Sequence, residues 1–179
     1  MNATPRKNGL RILNIHFQSL RKKGKLLEPV IVDSDPDIIF GTETWLDDSI
    51  KTSEILPNEF EYTIHRRDRS TDYHGGVLIA AKNHLELHNI QKSKAIEMIS
   101  GEIKLNTKKV TLSAYYRPPN RTDNHYLYNT VEEFISIKQR AKKNIMIVAG
   151  DFNLPDISSN IKTLNARLLA RVITGCHYT

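Results

Sequence analysis

The chain of 179 residues is predicted to adopt an α/β fold. Short runs rich in Ile, Val, Thr and Tyr recur between turn residues, which is typical of strands. Two other stretches carry apolar residues at helical spacing. No repeat, low-complexity tract or Pro/Ser-rich linker divides the sequence. We therefore expect one domain that mixes strands with a few helices.

The first two strands are predicted at residues 10–15 and 37–43. Each run is apolar and ends near a polar residue, and the second follows the loop signal Asp35-Pro36. Between them, residues 19–32 fit a helix that Gly24 and Pro29 weaken. The expected order is therefore strand, helix, strand.

Five further runs are predicted to form an antiparallel meander, at residues 61–66, 76–81, 85–90, 96–105 and 110–116. In the last run, the two-residue period of a strand places Val110, Leu112, Ala114 and Tyr116 on one face. Tyr115 then lies on the other face. Tyr116 is expected to continue the core-side row.

Two helices are predicted in the second half of the chain. Asn124 is a candidate N-cap for a helix over residues 125–140, in which Tyr128, Val131, Phe134 and Ile135 share a face. A second helix is predicted over residues 164–173, with Gly175 closing it.

Composition is that of a soluble globular protein, with 39% hydrophobic and 26% charged residues. No apolar stretch has the length needed to span a bilayer. We predict that residues 1–9 form a short disordered tail and that residues 10–179 form a single domain. The lone Cys176 cannot form an internal disulfide, which favours a reducing compartment. A net charge of +6 favours polyanionic partners, although a solvated surface explains it equally well.

Residues 144–153 form the most informative run. An apolar strand, predicted to be covered on both faces, ends at Asp151 and Asn153. In extended conformation these two side chains project to the same side, and together they offer ligands for Mg²⁺ or a phosphate. The competing interpretation is a pair that only caps a turn. Apolar runs that end in Asp also occur in P-loop ATPases, but that interpretation lacks its second motif, because no G-x-x-x-x-G-K-[ST] is present.

Two more polar residues, Asn14 and Glu43, lie at the ends of predicted strands. Strand ends in one layered sheet can meet at one edge, where Glu43 and Asp151 would share a hydrated Mg²⁺. Taken singly, Glu43 also fits an ordinary strand-to-loop residue, and Asn14 fits a hydrogen-bonded turn residue.

Three candidate phosphate contacts remain. The Tyr116 hydroxyl can donate to a phosphate oxygen, or the ring can simply cover the core. Arg66, Arg67 and Arg69 form a cationic segment suited to a nucleic-acid backbone, against the alternative of a charged loop tip. A basic cluster at residues 21–25 can approach the same rim or be a solvated helix face.

Four motifs occur in order: Leu13-Asn14-Ile15, Thr42-Glu43-Thr44, Tyr116-Arg117-Pro118 and Gly150-Asp151-Phe152-Asn153. This set resembles the endonuclease/exonuclease/phosphatase superfamily. The wording FQSLRKK, PDIIFGTETWL, HGGVLIAA, YYRPP and GDFNLPDI is similar to the apurinic-type endonuclease domain of LINE-type (non-LTR) retrotransposons. The likeness covers residues 10 to about 157.

The resemblance implies an α/β sandwich of two packed sheets with flanking helices. It implies that Glu43 is the principal Mg²⁺ ligand and that Asn14 helps position the metal-site carboxylate. Tyr116 and Asn153 would contact the scissile phosphate. Asp151 would orient or activate the attacking water.

Two departures from the family pattern stand out. His16 occupies a position where the family usually has Asn or Asp. The family's late Asp and closing Ser-Asp-His are absent from the sequence, and His177 has no preceding Asp to orient it. We therefore expect a C-terminally truncated domain with an incomplete second sheet, unpaired strand edges, and divergence from the family after about residue 156.

The leading functional hypothesis is a Mg²⁺-dependent DNA endonuclease, with Mn²⁺ as the alternative ion, weakened by these missing motifs. Its implied partners are DNA and a reverse transcriptase domain, without a membrane, and its implied location is intracellular and, for chromosomal DNA, nuclear. The alternatives are a non-catalytic nucleic-acid-binding remnant and a phosphatase of small phosphate esters.

Overall fold

The computed structural model describes residues 9–69, 74–121, 123–142 and 144–153. The predicted helix at residues 164–173 lies outside the described residues, as do Cys176, His177 and residues 1–8 of the predicted tail.

Two four-stranded mixed sheets form the centre of the described fold. In the first, the order is β1-β2-β4-β3, formed by β1 (Ile12–His16), β2 (Ile38–Thr42), β3 (Tyr62–Arg67) and β4 (Val77–Lys82). In the second, the order is β5-β6-β7-β8, formed by β5 (His88–Lys92), β6 (Glu97–Leu105), β7 (Lys108–Tyr116) and β8 (Ile145–Asp151). The predicted α/β class and two-sheet sandwich are confirmed.

Each sheet contains one parallel pair, β1 with β2 and β7 with β8, and all its other pairs are antiparallel. The predicted single meander is therefore wrong, because it is divided between the sheets: β4 pairs with β2 and β3, whereas β5 pairs with β6. Hydrophobic alternation identifies a strand, but it does not identify the neighbour with which the strand pairs.

Helices α1 (Gly24–Ser34) and α2 (Asn124–Ala141) contribute to the outer apolar clusters of the first and second sheet. Helix α1 contains Pro29, as the sequence indicated. The cap predicted for α2 was one residue off: the side chain of Asp123, not Asn124, accepts from the backbone N–H of Tyr126 at 2.8 Å. Short 3₁₀ helices span Thr52–Glu54, Asn58–Phe60 and Asn83–Leu85, and the last replaces the start of a predicted strand.

The main core lies between the two sheets. The alternation predicted for β7 is confirmed, since the residues of one face join this core. Tyr115 points the other way, against α2, where its ring packs edge-on to Phe134 at 5.3 Å. That alternation brings Tyr116 to the inter-sheet side at the very end of its strand.

The strand that ends at Asp151 is less buried than its apolar sequence predicted. In the described part of the chain, β8 is an edge strand of its sheet, and Ile145 is 44% exposed. Its two faces still pack on different clusters, Ile147 and Ala149 on the inter-sheet core and Met146 and Val148 on the α2 side. A continuous apolar run is thus explained by two covered faces, even though one edge of β8 has no partner strand among the described residues.

Candidate active site

The carboxyl ends of the two parallel strand pairs meet at one end of the sandwich. Strands β1 and β2 bring His16 and Glu43 there, and β7 and β8 bring Tyr116 and Asp151. Side chains from the two sheets touch: the Tyr116 hydroxyl donates to Oε1 of Glu43, and His16 lies next to Asp151. The predicted convergence of strand ends therefore joins two sheets rather than one.

Glu43 is the first residue after β2 and adopts a left-handed backbone conformation, with φ of 49°. Its carboxylate is 18% exposed. One oxygen accepts from Tyr116, and Oε2 lies 3.5 Å from Nε2 of His16. Tyr116 is thus a donor that orients Glu43, so a contact with phosphate would require its hydroxyl to serve a second partner.

Burial, followed by the hydrogen bond to Glu43, raises the pKa of Tyr116 well above its ordinary value. The phenol therefore keeps its proton to more alkaline pH than an ordinary tyrosine does. A protonated phenol remains a hydrogen-bond donor at the site, toward Glu43 or toward an incoming anion.

His16 lies between the two carboxylates. Its Nδ1 is 3.2 Å from Oγ1 of Thr42 and 3.5 Å from Oδ2 of Asp151, while Nε2 faces Glu43. The side chain is 37% exposed, so solvent reaches it. One imidazole therefore connects the strand ends of the two sheets.

The pair at the end of β8 is arranged by a turn, not by an extended strand as the sequence suggested. Asn153 has a φ of 43°. Its backbone N–H donates to Oδ1 of Asp151 at 3.1 Å, and its Nδ2 donates to Oδ2 at 3.0 Å and to the Arg117 carbonyl at 2.8 Å. The carboxamide thus holds Asp151, and its amide hydrogens already have acceptors within the protein.

Arg117 stabilises this turn from the other side. Its side chain is buried, donating to the carbonyls of Asn153 at 2.7 Å and Arg121 at 2.6 Å. Its backbone N–H donates to the Asp151 carbonyl at 2.9 Å. This guanidinium is therefore part of the scaffold that fixes the carboxylate.

Asn14 lies inside β1, and the strand continues to His16. The side chain of Asn14 is exposed and shares a strand face with that of His16, because they are two residues apart. Its role as a metal-site residue remains a prediction.

The three predicted phosphate-binding arginines have intramolecular partners. Arg66 donates to the Asp47 carbonyl at 2.9 Å, and Arg67 donates to the Ser93 carbonyl at 2.7 Å. Arg69 forms an ion pair with Glu97. Their binding to substrate stays a prediction, and it would require these guanidinium groups to share their present partners.

Sequence reasoning missed three residues that build the site: Thr42, Glu97 and Arg117. Thr42 and Arg117 belonged to the motifs but were assigned no role, and Glu97 lay inside a predicted strand. No local sequence signal distinguished them, because the burial of Glu97 and Arg117 is a property of the folded structure.

The donors at this end suit a divalent cation. Two carboxylates approach one small region, and Mg²⁺ is commonly held by one or two carboxylates together with water and substrate phosphates. Within the described ranges, no three His, Cys, Asp or Glu side chains form a metal-binding group. The roles of Glu43 and Asn14 as metal ligands stay predictions.

The described residues form an α/β sandwich of two sheets, with carboxylates from both sheets at one end. The sequence matches the Endonuclease/Exonuclease/phosphatase family over residues 12–178, and the chain belongs to that family. The matched range continues past residue 157, where we expected divergence.

Solved structures with this fold include nucleases and a phosphatase. The chain is similar to an AP endonuclease from Archaeoglobus fulgidus, with 16% identity, a TM-score of 0.64, and coverage of 93% of this chain and 70% of that one. It is similar to the endonuclease domain of TRAS1, a telomere-specific non-LTR retrotransposon, with 14% identity, a TM-score of 0.64, and coverage of 93% and 72%. These likenesses concern the fold.

A third similar structure is the 3′ phosphatase NExo from Neisseria bound to a product DNA hairpin. Its identity is 11% and its TM-score 0.69, with 93% of this chain and 71% of that one covered. No curated protein sequence matches the chain. Among the described helices, none is long and apolar enough to cross a membrane.

Proposed function

We propose that this chain is a metal-dependent phosphodiesterase domain that nicks DNA. The observation that carries the proposal is the approach of Glu43 and Asp151, from different sheets, to the same imidazole of His16. Packing alone gives no reason to bring two carboxylates together at a partly exposed sheet end. Carboxylates so placed are suited to a cation and to a water near a phosphate.

The residues divide into two groups by their contacts. Glu43, oriented by Tyr116, would hold Mg²⁺ together with Asn14, and a bound divalent ion stabilises negative charge on the phosphoryl oxygens. Asp151, oriented by Asn153, would accept a hydrogen bond from the attacking water. Each of these carboxylates thus has a hydrogen-bond donor that fixes its orientation.

DNA is the proposed substrate for two reasons. The net charge of +6 favours a polyanion, and one similar structure is a phosphatase bound to a DNA hairpin. The finer proposal, an origin in a non-LTR retrotransposon, rests on the motif wording. It implies a reverse transcriptase domain as partner and chromosomal DNA in the nucleus as target.

Residues 1–179 contain no Ser-Asp-His, so we expect slow nicking from this chain alone. A general acid–base residue of that kind contributes about 10²- to 10⁴-fold to a rate. The carboxylates should still govern the residual activity.

The test is nicking of supercoiled plasmid in Mg²⁺ or Mn²⁺ by the wild type, Glu43→Gln and Asp151→Asn. Each variant should lose about 100-fold in rate, as is typical when one preorganised electrostatic group is removed. Glu102→Gln is the matched control, since Glu102 lies on β6 and pairs with His88 and Asn89. Equal nicking by all four proteins would reject the proposal.

A further inference from the structure

Nε2 of His16 and Oε2 of Glu43 face each other, and both atoms can bind a metal ion. Oε1 of Glu43 accepts from Tyr116, and Oε2 faces Nε2 of His16 across 3.5 Å. A charge-assisted hydrogen bond between nitrogen and oxygen is shorter, about 2.7–2.9 Å. The observed distance of 3.5 Å is therefore too long for a close hydrogen bond between these two atoms.

The separation of Nε2 and Oε2 suits two ligands of one metal ion. With metal–ligand bonds of about 2.0–2.2 Å, two ligands of one ion lie about 3–3.5 Å apart at octahedral or tetrahedral angles. Nε2 and Oε2 have this separation. They also belong to side chains that solvent reaches, since His16 is 37% and Glu43 18% exposed.

The opposite ring nitrogen has the surroundings of a metal-bound histidine. Such a histidine usually donates its second N–H to a carboxylate, a carbonyl or water. Nδ1 of His16 lies 3.2 Å from Oγ1 of Thr42 and 3.5 Å from Oδ2 of Asp151. A proton on Nδ1 directed at these oxygens leaves the lone pair of Nε2 facing Glu43.

We propose that Nε2 of His16 and the carboxylate of Glu43 bind one divalent ion together, and that the imidazole makes the site prefer a first-row transition-metal ion such as Mn²⁺ over Mg²⁺. This rests on the metal site of the proposed function. Imidazole nitrogen is a poor ligand for Mg²⁺, which favours oxygen. Mn²⁺ also binds oxygen ligands but accepts nitrogen more readily, and the later first-row ions bind nitrogen more strongly still. His16 is the side chain that brings a nitrogen next to Glu43, so it is the residue expected to set the preference.

The experiment measures Mn²⁺ binding to the whole chain by electron paramagnetic resonance, with Mg²⁺ as competitor. Pulsed measurements on the bound Mn²⁺ report magnetic coupling to an imidazole nitrogen. The variants are His16→Asn, Glu43→Gln and the control His88→Asn. His88 is matched because it also lies on an edge strand near a carboxylate, 3.9 Å from Glu102.

The wild type should bind Mn²⁺ at least about tenfold more tightly than Mg²⁺ and show nitrogen coupling. His16→Asn should lose the coupling and bind Mn²⁺ about tenfold more weakly, with Mg²⁺ affinity kept or improved. His88→Asn should behave as the wild type. Circular dichroism of each variant verifies that it is folded.

Three results would overturn the proposal. The Mn²⁺ bound to the wild type shows no nitrogen coupling, His16→Asn binds Mn²⁺ as tightly as the wild type, or the wild type does not bind Mn²⁺. Its failure is separable from failure of the proposed function. If Glu43→Gln abolishes Mn²⁺ binding and plasmid nicking while nitrogen coupling is absent, the phosphodiesterase stands and only the ligand role of His16 is rejected.

Discussion

Two glutamates near Tyr116 have opposite environments. The carboxylate of Glu97 is 8% exposed and forms an ion pair with Arg69. Its other oxygen accepts from the backbone N–H of Gly76 at 2.7 Å. Glu43 is 18% exposed, and one of its oxygens faces a histidine at 3.5 Å rather than a close donor. Both oxygens of Glu97 have close donors, so this glutamate is structural, whereas Glu43 keeps one oxygen without a close donor, which is available to a cation.

The structural glutamate also acts on the segment after Glu43. The carbonyls of Gly75 and Gly76 accept from the backbone N–H groups of Trp45, at 2.9 Å, and Thr44, at 3.4 Å. Both glycines have positive φ, which a residue with a side chain adopts only with strain. Glu97 thus fixes the glycine loop, and that loop fixes the exit from β2.

The largest effect is expected from Glu97→Gln. It removes one partner of a buried ion pair, so the free energy of unfolding should fall by about 3 kcal/mol. Glu43→Gln should change it by less than about 1 kcal/mol, because no close cation is lost. Urea unfolding measures both. Glu102→Gln, on the same strand as Glu97, is the control, and an equal loss in Glu97→Gln and Glu102→Gln would contradict the contrast.

A smaller effect is expected from Tyr116→Phe, which removes the hydrogen bond to Glu43. The expected loss is about 1.5 kcal/mol, typical of a hydrogen bond to a charged group. In a double-mutant cycle with Glu43→Gln, about 1 kcal/mol of this should appear as coupling. The double-mutant cycle of Tyr116→Phe with Glu97→Gln should give a clearly smaller coupling energy. Equal coupling in the two cycles would mean that the phenol does not distinguish the two carboxylates.

The smallest effect concerns alkaline pH and the neighbouring Tyr115. Burial raises the pKa of Tyr115 well above its ordinary value, so the folded state keeps its proton where the unfolded chain releases it. This stability is present below pH 10 and is lost as pH rises; one such tyrosine costs about 1 kcal/mol between pH 10 and 11. Tyr115→Phe should make the decline less steep.

Urea midpoints across this pH range test that expectation. Tyr128→Phe serves as the control, because Tyr128 is 57% exposed. A decline as steep in Tyr115→Phe as in the wild type would show that the buried phenol is not responsible.

Local patterns predicted the elements well. The alternation in β7 placed Tyr115 and Tyr116 on opposite faces, because the two-residue period of a strand is a local property. The same patterns did not give the pairing of β4 with β2, nor the left-handed turn at Asn153. Pairing depends on neighbours distant in sequence, and left-handed conformations are unusual for residues other than glycine.

The sequence predicted the acidic residues of the candidate site, but it did not predict the contacts between them. Glu43 and Asp151 were indicated by polar residues after apolar strands. The position of His16 between them was not, since it depends on how the two sheets stack. Arg66, Arg67 and Arg69 were expected to bind phosphate or to form a charged loop tip. Arg69 instead pairs with Glu97, a residue that no local pattern distinguished.

By itself, the sequence determined which residues form strands, which faces are apolar and which side chains stand at the strand ends, because these follow from short-range periodicity and residue chemistry. Only the tertiary structure decided that Tyr116 reaches Glu43, 73 residues away, and that one imidazole lies beside carboxylates of both sheets. Those distances are set by the packing of two sheets around a common core, and no local segment contains that information.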